Sequence, residues 1–153
     1  MKLQSSNGNS FDLRILGYQF PQIHDEPYDA NWLFIEIAAT HPNGSWRAQD
    51  ASLLTFEVSA LSEWLRRYDQ TDHPNQCCEF IEPNLKFRLS DDRATLSVYF
   101  DLELLPDWIP DKYDRETELF IEFPVAELNL QSAADDLDKQ LLQFPERALR
   151  NQN

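Results

Sequence analysis

Hydrophobic and polar residues alternate with a period of two along much of this chain. Leu33, Ile35 and Ile37 alternate with Phe34, Glu36 and Ala38, Leu54, Phe56 and Val58 with Thr55 and Glu57, and Leu85, Phe87 and Leu89 with Lys86, Arg88 and Ser90. The longest run sets Leu96, Val98, Phe100, Leu102 and Leu104 against Thr95, Ser97, Tyr99, Asp101 and Glu103, and Leu119, Ile121 and Phe123 follow against Glu118, Phe120 and Glu122. Each run predicts a strand with one dry and one wet face, the habit of antiparallel sheet.

Two segments carry the helical period instead. Leu61, Trp64, Leu65 and Tyr68 fall at i, i+3, i+4 and i+7, with Ser59 as the expected N-cap and His73-Pro74 as the stop. Leu130, Ala133 or Ala134, Leu137, Leu141 and Phe144 form a second stripe, capped by Asn129 or Ser132, with Asp135 and Asp136 in the first turn and Pro145 at its end. The order is two or three strands, a helix, four strands and a closing helix. It predicts an α+β fold with a mainly antiparallel sheet of about six to seven strands covered by two helices. Glu82-Pro83-Asn84 and Ser90-Asp91-Asp92-Arg93 are the expected hairpin turns of the middle strands.

Met1–Ser10 is polar and expected as a flexible lead-in, residues 11–146 as one domain, and Arg147–Asn153 as a polar tail. A chain of 153 residues, 42% apolar and 12% aromatic, has the means to fold without staples. Its two cysteines, Cys77 and Cys78, are adjacent, and vicinal cysteines close only a strained ring, so both are read as reduced. The N-terminus lacks an apolar signal-peptide core, and no apolar run approaches the roughly 18 residues that span a bilayer. The cytoplasm is the expected compartment.

Charge changes the picture most. With 27 acids against 13 Lys and Arg, the formal net charge is −14. Between Asp101 and Glu122 lie Asp101, Glu103, Asp107, Asp111, Asp114, Glu116, Glu118 and Glu122, against Lys112 and Arg115 alone. Such a chain repels nucleic-acid backbones and anionic membranes and attracts a basic protein partner. The alternation sets Asp101, Glu103, Glu118 and Glu122 on wet strand faces; if those strands pair, four carboxylates crowd one surface. That surface reads either as a site neutralised from outside or as a solvated face that keeps a sheet soluble. The connection from Leu105 to Asp114 places Trp108 and Tyr113 among Asp107, Asp111 and Asp114, where the aromatics could anchor a basic partner or Trp108 could plug the end of the sheet.

Enzyme and cofactor chemistry find little support. His24, His41 and His73 are scattered, Cys77-Cys78 lacks zinc-ligand spacing, and Asp107, Asp111 and Asp114 do not match a calcium loop. No glycine-rich phosphate loop is present, so neither metal nor cofactor nor catalytic residues are expected. A different reading, a small ligand- or carbohydrate-binding domain with an aromatic-lined concave sheet, draws on Trp32 and Trp46.

In order along the chain, Ile15–Pro21, Tyr28–Leu33, Gly44-Ser45-Trp46, Leu53–Val58 with Trp64-Leu65, Phe80–Leu85 and the Pro106-x-Trp108 loop resemble the bacterial WapI-type immunity proteins, from about Phe11 to Arg147. The resemblance implies a small non-enzymatic cytoplasmic protein that binds and neutralises the C-terminal toxin domain of a contact-delivered polymorphic toxin. Such toxins are often nucleases, whose basic clefts suit an acidic blocker. The family brings no catalytic residues to carry over.

Overall fold

The computed structural model describes residues 1–70, 75–109 and 117–148. Among them, eight strands form two four-stranded antiparallel sheets, and two α-helices complete an α+β fold. The first sheet has the order β1 (Lys2–Gln4), β2 (Ser10–Tyr18), β3 (Trp32–His41) and β4 (Gly44–Leu54). After α1 (Thr55–Arg66), the second sheet runs β5 (Cys77–Glu79), β6 (Leu85–Leu89), β7 (Thr95–Phe100) and β8 (Leu119–Pro124), and α2 (Leu130–Gln143) closes the chain.

The alternation dictates how the sheets meet. Each strand turns its apolar set to one side, and the sheets face each other across those sides. Phe11 of β2 stands 5.8 Å from Phe87 of β6 and 5.7 Å from Phe100 of β7, while Trp46 of β4 lies edge-on to Phe100 at 4.9 Å. Val58, Leu61 and Leu65 of α1 and Leu130, Ala134 and Leu137 of α2 belong to the same buried cluster. The expected single sheet under two helices is thus divided into two sheets, with a common core.

Met1–Ser10 is not a loose lead-in. β1 pairs with β2 through Lys2–Asp12, Leu3–Phe11 and Gln4–Ser10, and Leu3 is 2% exposed. At the chain's other end, Arg147 is anchored: its backbone N–H donates to Asn31 Oδ1 at 2.8 Å, and its guanidinium lies 3.4 Å from the Tyr18 ring centroid. Only the part of the expected tail beyond residue 148 lies outside the described residues.

Helix α1 begins four residues before the expected Ser59 cap and absorbs most of the segment that alternates like a strand. Leu54, Val58, Leu61 and Leu65 also fit a helical stripe, and all four are fully buried. Glu57 decides the start locally. Its carboxylate accepts the Leu54 N–H at 3.0 Å, as the third residue of a capping box does. The expected stop at His73-Pro74 lies outside the described residues. Helix α2 begins as its pattern predicts, with Asn129 Oδ1 accepting from Ser132 N at 2.9 Å. Asp135 and Asp136 lie beyond its first turn; Asp135 accepts from Arg66 of α1 at 2.8 Å, and Asp136 meets the Met1 ammonium.

Candidate functional site

Strand register assembles the wet face of the second sheet. Residues directly opposite in an antiparallel pair point to the same side, so the pairings Glu79–Lys86, Lys86–Tyr99 and Tyr99–Phe120 lay Glu79, Lys86, Tyr99 and Phe120 in one row across all four strands. A second row holds Cys77, Arg88, Ser97 and Glu122. The expected pairing of the two acidic strands is therefore real, but the face it builds is mixed, with Lys86 and Arg88 among the acids.

The long alternation through Leu104 stops early. β7 ends at Phe100, and Leu102–Leu104 forms a short 3₁₀ turn. Leu102 adopts φ 51°, a left-handed conformation no strand contains, and Asp101 caps it by accepting the Leu102 N–H at 2.8 Å. Glu103 consequently leaves the sheet and accepts from Asn84 Nδ2 at 2.9 Å, beside Asp50 of β4.

Asp101 and Glu118 remain together, lining a cleft of about 340 Å³ with Glu79, Lys86 and Tyr99. Lys86 Nζ donates to Glu118 Oε1 at 2.8 Å and stands 4.3 Å from the Tyr99 ring centroid. Partial burial alone would lower the lysine pKa, yet the hydrogen bond and charge of Glu118 hold the ammonium above its ordinary value. Glu122 lies farther along β8, in a depression shared with His41 and Pro42 of the β3–β4 turn. Trp108 packs on that same turn, its ring over Gly44 and edge-on to Trp46 at 5.5 Å, and stays 40% exposed. It thus covers one end of the first sheet while part of its ring stays exposed. Asp107 is exposed beside it, while Asp111, Tyr113 and Asp114 lie outside the described residues. Lys86, Tyr99 and Phe120 escaped the sequence reading as site residues, although the alternation had put them on wet faces; the cross-strand register that gathers them is not written in any one segment.

Two features bear on other chemistries. Trp46 is buried, and its Nε1 donates to Leu104 O at 3.0 Å, which removes it as a sugar platform. Among the described residues Glu57 is the buried carboxylate, and burial raises its pKa despite bonds from Ile81 N and Leu54 N. With one oxygen accepting each N–H, it ties α1 to the β5–β6 connection rather than facing a reactant. Among the described residues no group of His, Cys, Asp and Glu converges as a metal site, and no helix is long and apolar enough to cross a membrane.

Fold and site together define a small α+β domain with a charged and aromatic wet face on its second sheet. The chain belongs to the immunity protein WapI-like family, whose family model matches residues 2–145. That membership implies binding and neutralisation of a cognate toxin by a protein of a typically non-enzymatic kind. A comparison with curated proteins found no match.

Proposed function

We propose that this chain neutralises a basic toxin domain, of nuclease type, by covering its substrate cleft with the acidic margin of the second sheet, in the cytoplasm of the cell that makes both proteins. The contact residues in this reading are Asp101, Glu103, Asp107, Trp108, Asp111, Tyr113, Asp114, Glu118 and Glu122. The observation that supports it best is the convergence of Asp101 and Glu118 on one cleft, with Glu122 and the exposed Trp108 ring reached across the β3–β4 turn. A nuclease cleft built to attract phosphates presents Lys and Arg, and carboxylates steer such a partner while an aromatic anchors it.

Co-expression with the toxin domain encoded beside this chain's gene tests the reading in cells. Growth should be rescued by the wild-type chain, and rescue should fail when Asp101, Glu118 and Glu122 are reversed to Lys in a protein that still folds. Full rescue by the reversed chain contradicts the acidic-face mechanism.

A further inference from the structure

The cleft beside Lys86 is a concavity with walls of two kinds. Phe80, Leu85 and Phe100 supply apolar surface, and Glu79, Asp101 and Glu118 supply carboxylates. At about 340 Å³ it is at the small end of ligand-sized cavities, a scale suited to one long side chain. The chain itself demonstrates what the cleft holds. Lys86 sends an ammonium to Glu118 and over the Tyr99 face, making an ion pair and a cation–π contact at once. Three carboxylates line the cleft with this one cation, so it retains negative charge after Lys86 is counted.

We propose that this cleft receives one arginine side chain of the toxin, which takes over Glu118 and the Tyr99 face from Lys86; this rests on the toxin-binding reading above. Arginine suits the geometry better than lysine. Its planar guanidinium stacks on a ring while its fork of donors serves carboxylates in the guanidinium's own plane, whereas an ammonium is a point charge that satisfies one partner well. The Lys86–Glu118 pair is a cheap occupant to displace. Glu118 is half exposed, and surface ion pairs are worth little, while the departing lysine can extend into water on its flexible stem. The exposed Phe120 ring, 5.0 Å from Tyr99 in the same row, offers apolar rim beside the anchor. Lys86 thereby acts as an internal competitor, keeping the carboxylate paired until the partner arrives.

The test uses the catalytically inactivated toxin domain encoded beside this gene and measures dissociation at high salt, where long-range steering is screened. Glu118→Gln should speed dissociation about tenfold, and Lys86→Met, which removes the competitor, should slow it. Tyr99→Phe, which keeps the ring face, should match the wild type. One toxin Arg→Ala substitution should abolish the effect of Glu118→Gln in a double-mutant cycle. Dissociation that is unchanged in Glu118→Gln and Lys86→Met, or shifted the same way in both, overturns the proposal, as does the absence of any coupled toxin arginine. Reversal of Asp107 and Glu122, outside the cleft, separates the two readings. If that reversal slows association at low salt while the cleft variants do nothing, the face is right and the arginine receptor is wrong; if it too changes nothing, the acidic-face reading falls with it.

Discussion

At Gly44 the backbone takes φ +150° and the Trp108 indole lies over it, so close that a Cβ would stand 3.1 Å from Cζ3 and 3.2 Å from Cη2. Backbone strain and steric displacement therefore act together in Gly44→Ala. The variant should lose about 1–3 kcal/mol in urea unfolding, and its tryptophan emission should shift to the red as Trp108 swings into water; unchanged stability and emission would show that the ring is not held there. Two carboxylates bend the pH profile in opposite directions. Arg66, and after it Gln131, hold Asp135 below the ordinary aspartate value, so the stability this group adds is present above pH 3.8 and is lost as pH falls below it. Burial holds Glu57 above the ordinary glutamate value, so its charged form costs stability that is absent below pH 4.5 and accrues as pH rises through the raised pKa. Arg66→Met should flatten the loss of stability on acidification below pH 3.8, and unfolding curves of equal pH dependence in both proteins would contradict the assignment. Neither residue stands out in sequence. Glu57 reads as a wet-face residue of a strand, and only the helix start turns it inward.

Between elements, the β2 edge shows how a short strand is supplemented. β1 pairs with β2 as far as Asp12, Met1 bonds Leu13 in both directions, and beyond it the Gln140 side chain of α2 takes over, accepting Ile15 N–H at 2.7 Å and donating to Leu13 O at 3.1 Å. A side-chain amide thus stands in for the next peptide group of a neighbouring strand. Gln140→Leu leaves the Ile15 N–H without that acceptor in a half-buried position and should cost about 1–3 kcal/mol, with faster amide exchange confined to Ile15 and its neighbours; exchange as slow as in the wild type would mean that the edge is protected by something else. The elements themselves were legible to different degrees. β3, β6, β8 and α2 follow their patterns because a single period describes each. α1 was half hidden because Leu54, Phe56 and Val58 satisfy the strand period while Leu54, Val58, Leu61 and Leu65 satisfy the helical one. β1 was missed because three residues with one inward Leu carry too little periodicity to distinguish from a polar lead-in. β7 was read too long because a 3₁₀ turn after a strand can continue to bury alternate residues, here Leu104, and nothing in the pattern announces the left-handed Leu102.

On the scale of the whole molecule, charge and fold answer separate questions. The −14 net charge describes what the chain attracts, and the family membership implies a cognate toxin as its partner. In the proposed reading the two meet on the second sheet, where Glu79, Asp101 and Glu118 line one cleft with Lys86 and Tyr99, and Glu122 lies farther along β8. Asp101, Glu118 and Glu122 could be picked out from the sequence because they lie in the acid-rich stretch between Asp101 and Glu122. Glu79, Lys86, Tyr99 and Phe120 could not, since only the register brings their strands alongside. The direct measurement is the association rate constant between this chain and its cognate toxin domain, followed against ionic strength for the wild type and for a variant with Asp101, Glu118 and Glu122 reversed to Lys. The wild-type rate should be fast at low salt and fall steeply as salt rises, and the variant should associate at least about tenfold more slowly at low salt, with the two converging at high salt. Equal rates for the two proteins at low salt would contradict the acidic face as the toxin-binding surface.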